Sequence, residues 1–294
     1  MISNDISFWG ESQDTWCEKY IWHGRYRPMG EPLWGGRSSA MGGLVLRQVV
    51  ALRAAEVYLP LWPAHWALLC EQAALLGFSP SDLGTPTDMR DEIKLLASRN
   101  HYPAHSLAHI VLWTDVGGLG LGLEHAIFQS RLELSPFNVE VEPLFLLEAS
   151  ASAIVNDGFG SWADAPVEEL AADKARQEAL AGSCLMLSDR RLARTTLGNI
   201  FFVLPGGRVI GVGRNAKPDA LCRFVKEKRL FERFRMTYEE VDGIGQPTVT
   251  EAMECFVCDS AIGLRPVMSI GTAKRFYTKT GAAFAAALRD MIVV

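Results

Sequence analysis

The stretch from Asn199 to Val212 constrains this chain more than any other. Ile200–Val203 and Arg208–Val212 are apolar runs flanking Pro205-Gly206-Gly207, a hairpin signal. His109–Thr114 is a third such run, suited to a buried strand. Between runs of this kind lie segments with helical spacing. Trp66, Leu69, Ala73 and Leu76 recur within Pro63–Gly77, and Gly77 is placed to end that helix. Strands and helices thus alternate, and the chain reads as an α/β (α+β) protein.

The remaining elements follow the same logic. Leu44–Tyr58 reads as two paired strands and Thr87–Arg99 as a helix. Gly117, Gly118, Gly120 and Gly122 form a glycine-rich loop without a dinucleotide or P-loop fingerprint. The pattern restarts around Ser135 and Pro136, which divides the chain into an N-terminal α/β domain, 1–135, and a C-terminal domain, 136–294. In the second domain Val139–Leu147, Ser183–Leu187 and Cys255–Cys258 read as strands. Pro166–Leu180, Pro218–Phe234, Thr250–Met253 and Gly281–Met291 read as helices.

The 294 residues are 49% hydrophobic, enough for a sizeable core. A net charge of -5 argues against a nucleic-acid surface, and no long uncharged apolar run marks a membrane span. The N-terminus lacks a basic segment followed by an apolar one, and the six cysteines are scattered, so a reduced cytoplasmic setting is expected. Cys255 and Cys258 sit on a strand and should point to opposite faces as buried thiols. His101, His105 and His109 are four apart, but Pro103 prevents the helix that would align them, so no metal site is expected. Of the 29 basic residues only eight are lysines, and none lies between Lys94 and Lys174.

Four segments in order resemble the class IV aminotransferases, the fold-type IV family that uses pyridoxal phosphate. That family includes branched-chain and D-amino-acid aminotransferases and 4-amino-4-deoxychorismate lyase. The segments are Arg37-Ser-Ser-Ala-Met-Gly-Gly-Leu-Val-Leu-Arg47; Gln177-Glu178-Ala179 with Leu185-Met186-Leu187 and Arg194-Thr-Thr-Leu-Gly-Asn199-Ile-Phe-Phe-Val203; Lys217–Arg223; and Glu251-Ala-Met-Glu-Cys-Phe-Val-Cys-Asp-Ser260 with Arg265-Pro-Val267. The resemblance implies a two-domain fold and a homodimer.

It also exposes departures. The family's cofactor-binding lysine corresponds to the region of Ala165 and Pro166. Its glutamate beside the pyridine nitrogen corresponds to Arg194. Its phosphate-gripping arginine falls at Leu68, after His65, and its phosphate-binding hydroxyl pair at Ser260 and Ala261. Ala220 loosely matches the glycine of the phosphate turn. These departures lead to the expectation of no cofactor, with Lys217 the one lysine placed to restore pyridoxal phosphate. The corresponding function is a cofactor-independent enzyme of specialised metabolism that binds or converts an anionic, amino-acid-like or carboxylated small metabolite. The alternatives are a non-catalytic partner subunit and a conventional pyridoxal-phosphate transaminase or lyase. His109 and Asp259 are the candidate acid–base residues. Arg47, Arg194, Asn199, Ser260 and Arg265 are the candidate substrate-binding residues.

Overall fold

The computed structural model describes residues 19–22, 25–28, 40–53, 57–75, 78–99, 105–116, 126–137, 144–147, 183–188, 190–213, 216–271 and 274–292. The expected helix Pro166–Leu180, the positions Ala165 and Pro166, Gly77 and the glycine-rich loop lie outside them.

The first sheet contains β1 (Lys19–Trp22), β2 (Arg25–Pro28), β3 (Ala40–Arg53), β4 (Val57–Tyr58), β5 (His105–Val116) and β6 (Ala126–Phe137), in the order β2-β1-β6-β5-β3-β4. The two paired strands expected in Leu44–Tyr58 are one long strand and a short return, with Leu52 opposite Tyr58. Two helices, α1 (Trp62–Leu75) and α2 (Pro86–Arg99), belong to this half. Leu69 and Ala73 of α1, and Ile93 and Leu96 of α2, pack with Ala108, Ile110 and Leu112 of β5.

The second sheet runs β12-β11-β10-β13-β14-β7-β8-β9, with β15 paired to β14. In chain order these strands are β7 (Leu144–Leu147), β8 (Ser183–Ser188), β9 (Arg191–Thr195), β10 (Asn199–Leu204), β11 (Arg208–Val212), β12 (Thr237–Val241), β13 (Glu254–Asp259), β14 (Gly263–Ile270) and β15 (Lys274–Arg275). Every residue of β10 and β13 is buried. Both faces of these strands are covered, which explains their unbroken apolar runs. Ile200, Phe202, Cys255 and Val257 enter one core. Phe201, Val203, Phe256 and Cys258 enter the other. Cys255 and Cys258 therefore face opposite sides, as expected for residues three apart on a strand.

The second core is aromatic. Phe201 stacks on Phe256 with ring centroids 5.1 Å apart, and Phe284 meets Phe256 edge-on at 5.5 Å. Phe284 comes from the closing helix Lys279–Ile292. Leu221, Cys222 and Val225 of α3 (Ala220–Glu227) join the same core, which fixes that helix against the sheet.

The helix expected over Pro218–Phe234 is divided into α3 and α4 (Leu230–Arg233). Arg229 adopts the left-handed conformation, with φ at 49°, and breaks the run. A further short helix, Gln246–Glu251, precedes β13. Arg223 of α3 grips Glu71 of α1 with both nitrogens, at 2.9 and 2.7 Å, and so ties α3 to the first half of the chain. Among the described residues no helix is long and apolar enough to cross a membrane.

Burial raises the thiols of Cys222 and Cys255 above their ordinary range. For Cys258 a bond from Cys222 acts downward, but burial and the charges of Asp219 and Asp259 together outweigh it and raise this thiol too. We expect all three to resist a thiol reagent such as DTNB in the native protein and to react on denaturation. Rapid native modification of any of them, located by peptide mapping, would contradict this packing.

Candidate functional site

The site is built where β10, β13 and the start of α3 meet. Asn199 stands opposite Cys258 in the antiparallel ladder, one residue from Asp259 on the neighbouring strand. The turn before Asn199 is closed by Gly198, whose carbonyl accepts from Thr195 N at 2.8 Å. A Cβ on Gly198 would fall 2.6 Å from Asp259 Cβ and 2.7 Å from the Cys258 carbonyl oxygen. Only glycine permits this approach of backbone to carboxylate. Gly198→Ala is expected to cost about 1–3 kcal/mol, the usual scale of overpacking, read as a lower denaturation midpoint at unchanged slope. An unaltered midpoint would show that the turn can yield.

Asn199 is buried and its amide is fully engaged. Oδ1 accepts from the backbone N–H of Lys217 at 2.7 Å, and Nδ2 donates to the Lys217 carbonyl at 2.8 Å. Nδ2 also lies 3.3 Å from Cys222 Sγ. This two-pronged clamp fixes the peptide groups on both sides of the Lys217 Cα. From there the lysine side chain crosses to Asp259, with Nζ 3.0 Å from Oδ2. Asp259 is 5% exposed at its side chain and Lys217 24%, so the carboxylate is dry and the ammonium partly wet. The other Asp259 oxygen accepts from Ala261 N at 2.8 Å. Burial holds the Asp259 carboxyl above its ordinary range; Lys217 offsets only part of this, and the neighbouring Asp219 charge adds to it.

A second carboxylate stands beside the first. Asp219 caps α3, with Oδ1 accepting from Cys222 N at 2.8 Å. Its Oδ2 accepts from Ser260 N at 2.9 Å and from Ser260 Oγ at 2.6 Å. Ser260 Oγ in turn accepts from Leu221 N at 3.1 Å. Backbone and hydroxyl donors from two elements thus converge on a single carboxylate. Such a set is suited to oxyanions, and the helix N-terminus adds favourable partial charge.

Among the residues singled out above, the structure brings together Asn199, Lys217, Asp259, Ser260 and Ala261. Sequence reasoning missed the role of Asp219, although an aspartate directly ahead of an apolar helical run is a capping signal. It also missed the pairing of Lys217 with Asp259. Arg194 is buried in β9, just before the Thr195–Gly198 turn, and Arg265 is half-buried in β14 opposite Val257. Leu68 is buried in α1. Arg47 and His109 lie in the first sheet, opposite Ile110 and Gln48 respectively.

No family model matches the sequence, and no curated protein matches it. Solved structures do match. The branched-chain aminotransferase of Thermobaculum terrenum in its PLP form covers 94% of this chain and 94% of its own, with TM-score 0.77 at 15% identity. That of Thermoproteus uzoniensis with norvaline covers the same shares, with TM-score 0.76 at 13% identity. The branched-chain aminotransferase of Escherichia coli does so with TM-score 0.74 at 12% identity. These findings overturn the expectation of no cofactor. That expectation rested on single positions aligned by motif, whereas the matched chains include one in its PLP form and others complexed with a phosphopyridoxyl amino acid or with pyridoxamine 5'-phosphate. Over nearly its whole length, the chain has the fold of the fold-type IV aminotransferases.

Proposed function

We propose that the protein is a pyridoxal-phosphate-dependent enzyme of the transaminase or lyase type, acting on a small amine that carries a carboxylate or similar anion. The observation that carries this reading is the Lys217 amine, clamped by Asn199 and held 3.0 Å from the buried Asp259. The likeness of fold supports it. When bound, the cofactor supplies a carbonyl that condenses with amines and a ring that takes up an electron pair.

The residues present fit such a group in kind. Lys217 is the amine. Ser260 N–H, Ser260 Oγ and the Cys222 N–H are donors for an oxyanion, a role now filled by the Asp219 carboxylate. Asp259 holds the Lys217 proton and accepts it when the amine is needed in its neutral form, because a dry carboxylate is a stronger base than a solvated one. Arg194 and Arg265, with Arg47, are the proposed anchors for the substrate's anionic group, and His109 a further acid–base group. A homodimer belongs to the same reading.

Titration of the purified protein with pyridoxal phosphate tests it. An absorbance band at about 410–430 nm that borohydride removes is expected. An unchanged spectrum at saturating cofactor would sink the proposal.

A further inference from the structure

We propose that Asp219 is an internal competitor for the phosphate of the cofactor, so that one side chain sets the site's preference between a phosphorylated aldehyde and its unphosphorylated analogue. The inference rests on the function proposed above and concerns a residue that function does not require.

Asp219 does more than a cap needs. Capping is satisfied by one bond, from Cys222 N to Oδ1. Oδ2 takes two further donors, both from Ser260, which lies 41 residues away on the turn after β13. Asp219 is 5% exposed, so these bonds are shielded from water and its charge is poorly screened. A phosphate oxygen placed on the same donors would need the same lone-pair directions, and two anions cannot share them. Asp259, the residue before Ser260, adds a second carboxylate, while Lys217 is engaged by that one. A phosphate therefore gains the Ser260 and Cys222 donors only when the Asp219 carboxylate leaves them. Its binding is reduced by the bonds given up.

Asp219→Ser isolates the effect, because serine caps a helix about as well as aspartate but carries no charge and does not reach as far. Binding of pyridoxal phosphate and of pyridoxal is measured by absorbance in both proteins, and thermal midpoints are measured with and without inorganic phosphate. In the wild type the two aldehydes are expected to bind within about threefold of each other. In Asp219→Ser the phosphorylated one is expected to gain about tenfold or more, the scale of one charge-assisted hydrogen bond, with pyridoxal unchanged. Inorganic phosphate is expected to raise the midpoint of the variant and not that of the wild type. Equal preference in both proteins, with no phosphate effect on the variant, overturns the inference. If neither aldehyde binds either protein, the proposed function fails while the phosphate effect on the variant still decides the role of Asp219. Should Asp219→Ser fail to fold, the isosteric Asp219→Asn is measured in the same way, with the same expected direction and the same overturning result.

Discussion

Replacing Lys217 with alanine is expected to reduce turnover by on the order of 10²–10⁴, the range for loss of a positioned proton-transferring group, and to abolish the borohydride-sensitive band. The expectation follows from position. Lys217 is held by its own backbone to the buried Asn199 and by its amine to the buried Asp259. A lysine that served only as a surface charge would have no reason to be fixed at both ends, given the entropy lost on ordering so long a side chain. Lys174→Ala is the matched control and should keep both the band and the rate. Steady-state kinetics with a carboxylated amine donor, together with spectra of the two variants, provide the comparison. Full activity in Lys217→Ala would remove this residue from the chemistry.

Asn199→Leu is expected to lower stability by about 2–6 kcal/mol. The substitution nearly conserves volume but strips partners from the Lys217 N–H and carbonyl, and each such shielded group left unpaired costs about 1–3 kcal/mol. The check is denaturant unfolding, with a lower midpoint at unchanged slope. A folded Asn199→Leu protein should also label poorly at Lys217, because the amine is no longer delivered to Asp259. A loss below about 0.5 kcal/mol, the scatter of ordinary surface changes, would show that the clamp is not structural.

The parts of the fold legible in the sequence are those whose physics is local. The hairpin of β10 and β11 is legible nearly to its ends because both faces of its strands are buried, and Pro205-Gly206-Gly207 supplies the turn. β14 is hidden because Pro266, opposite Phe256, lacks the N–H a ladder strand normally offers. β6 reads as a break because Ser135 and Pro136 look like punctuation, yet Pro136 pairs with Ser106 inside the first sheet. β12 is a polar edge strand, Thr237–Val241, whose composition hides its parallel pairing with β11. Nothing in the residue type of Arg229 announces a left-handed backbone, so the helix it divides reads as continuous.

The site divides in the same way. Asn199, Asp259 and Ser260 are legible because they lie in motifs that resemble a family. Lys217 is visible only as a lysine near the expected turn, since its bond to Asp259 spans 42 residues of chain. Asp219 is hidden inside the helix read from Pro218, when it is instead the cap outside it. The expectation of no cofactor fails for a related reason. It rests on four concerted departures aligned by motif, one of them at Ala165 and Pro166 outside the described residues, while solved structures that share the fold include ones holding the cofactor.

The most direct measurement is the site of covalent labelling. The protein is incubated with pyridoxal phosphate, reduced with borohydride, digested and mapped by mass spectrometry. The account predicts a phosphopyridoxyl group on Lys217, at close to one per chain, and its absence from Lys217→Ala. Label confined to any other lysine, or none above that of the denatured protein, would contradict it.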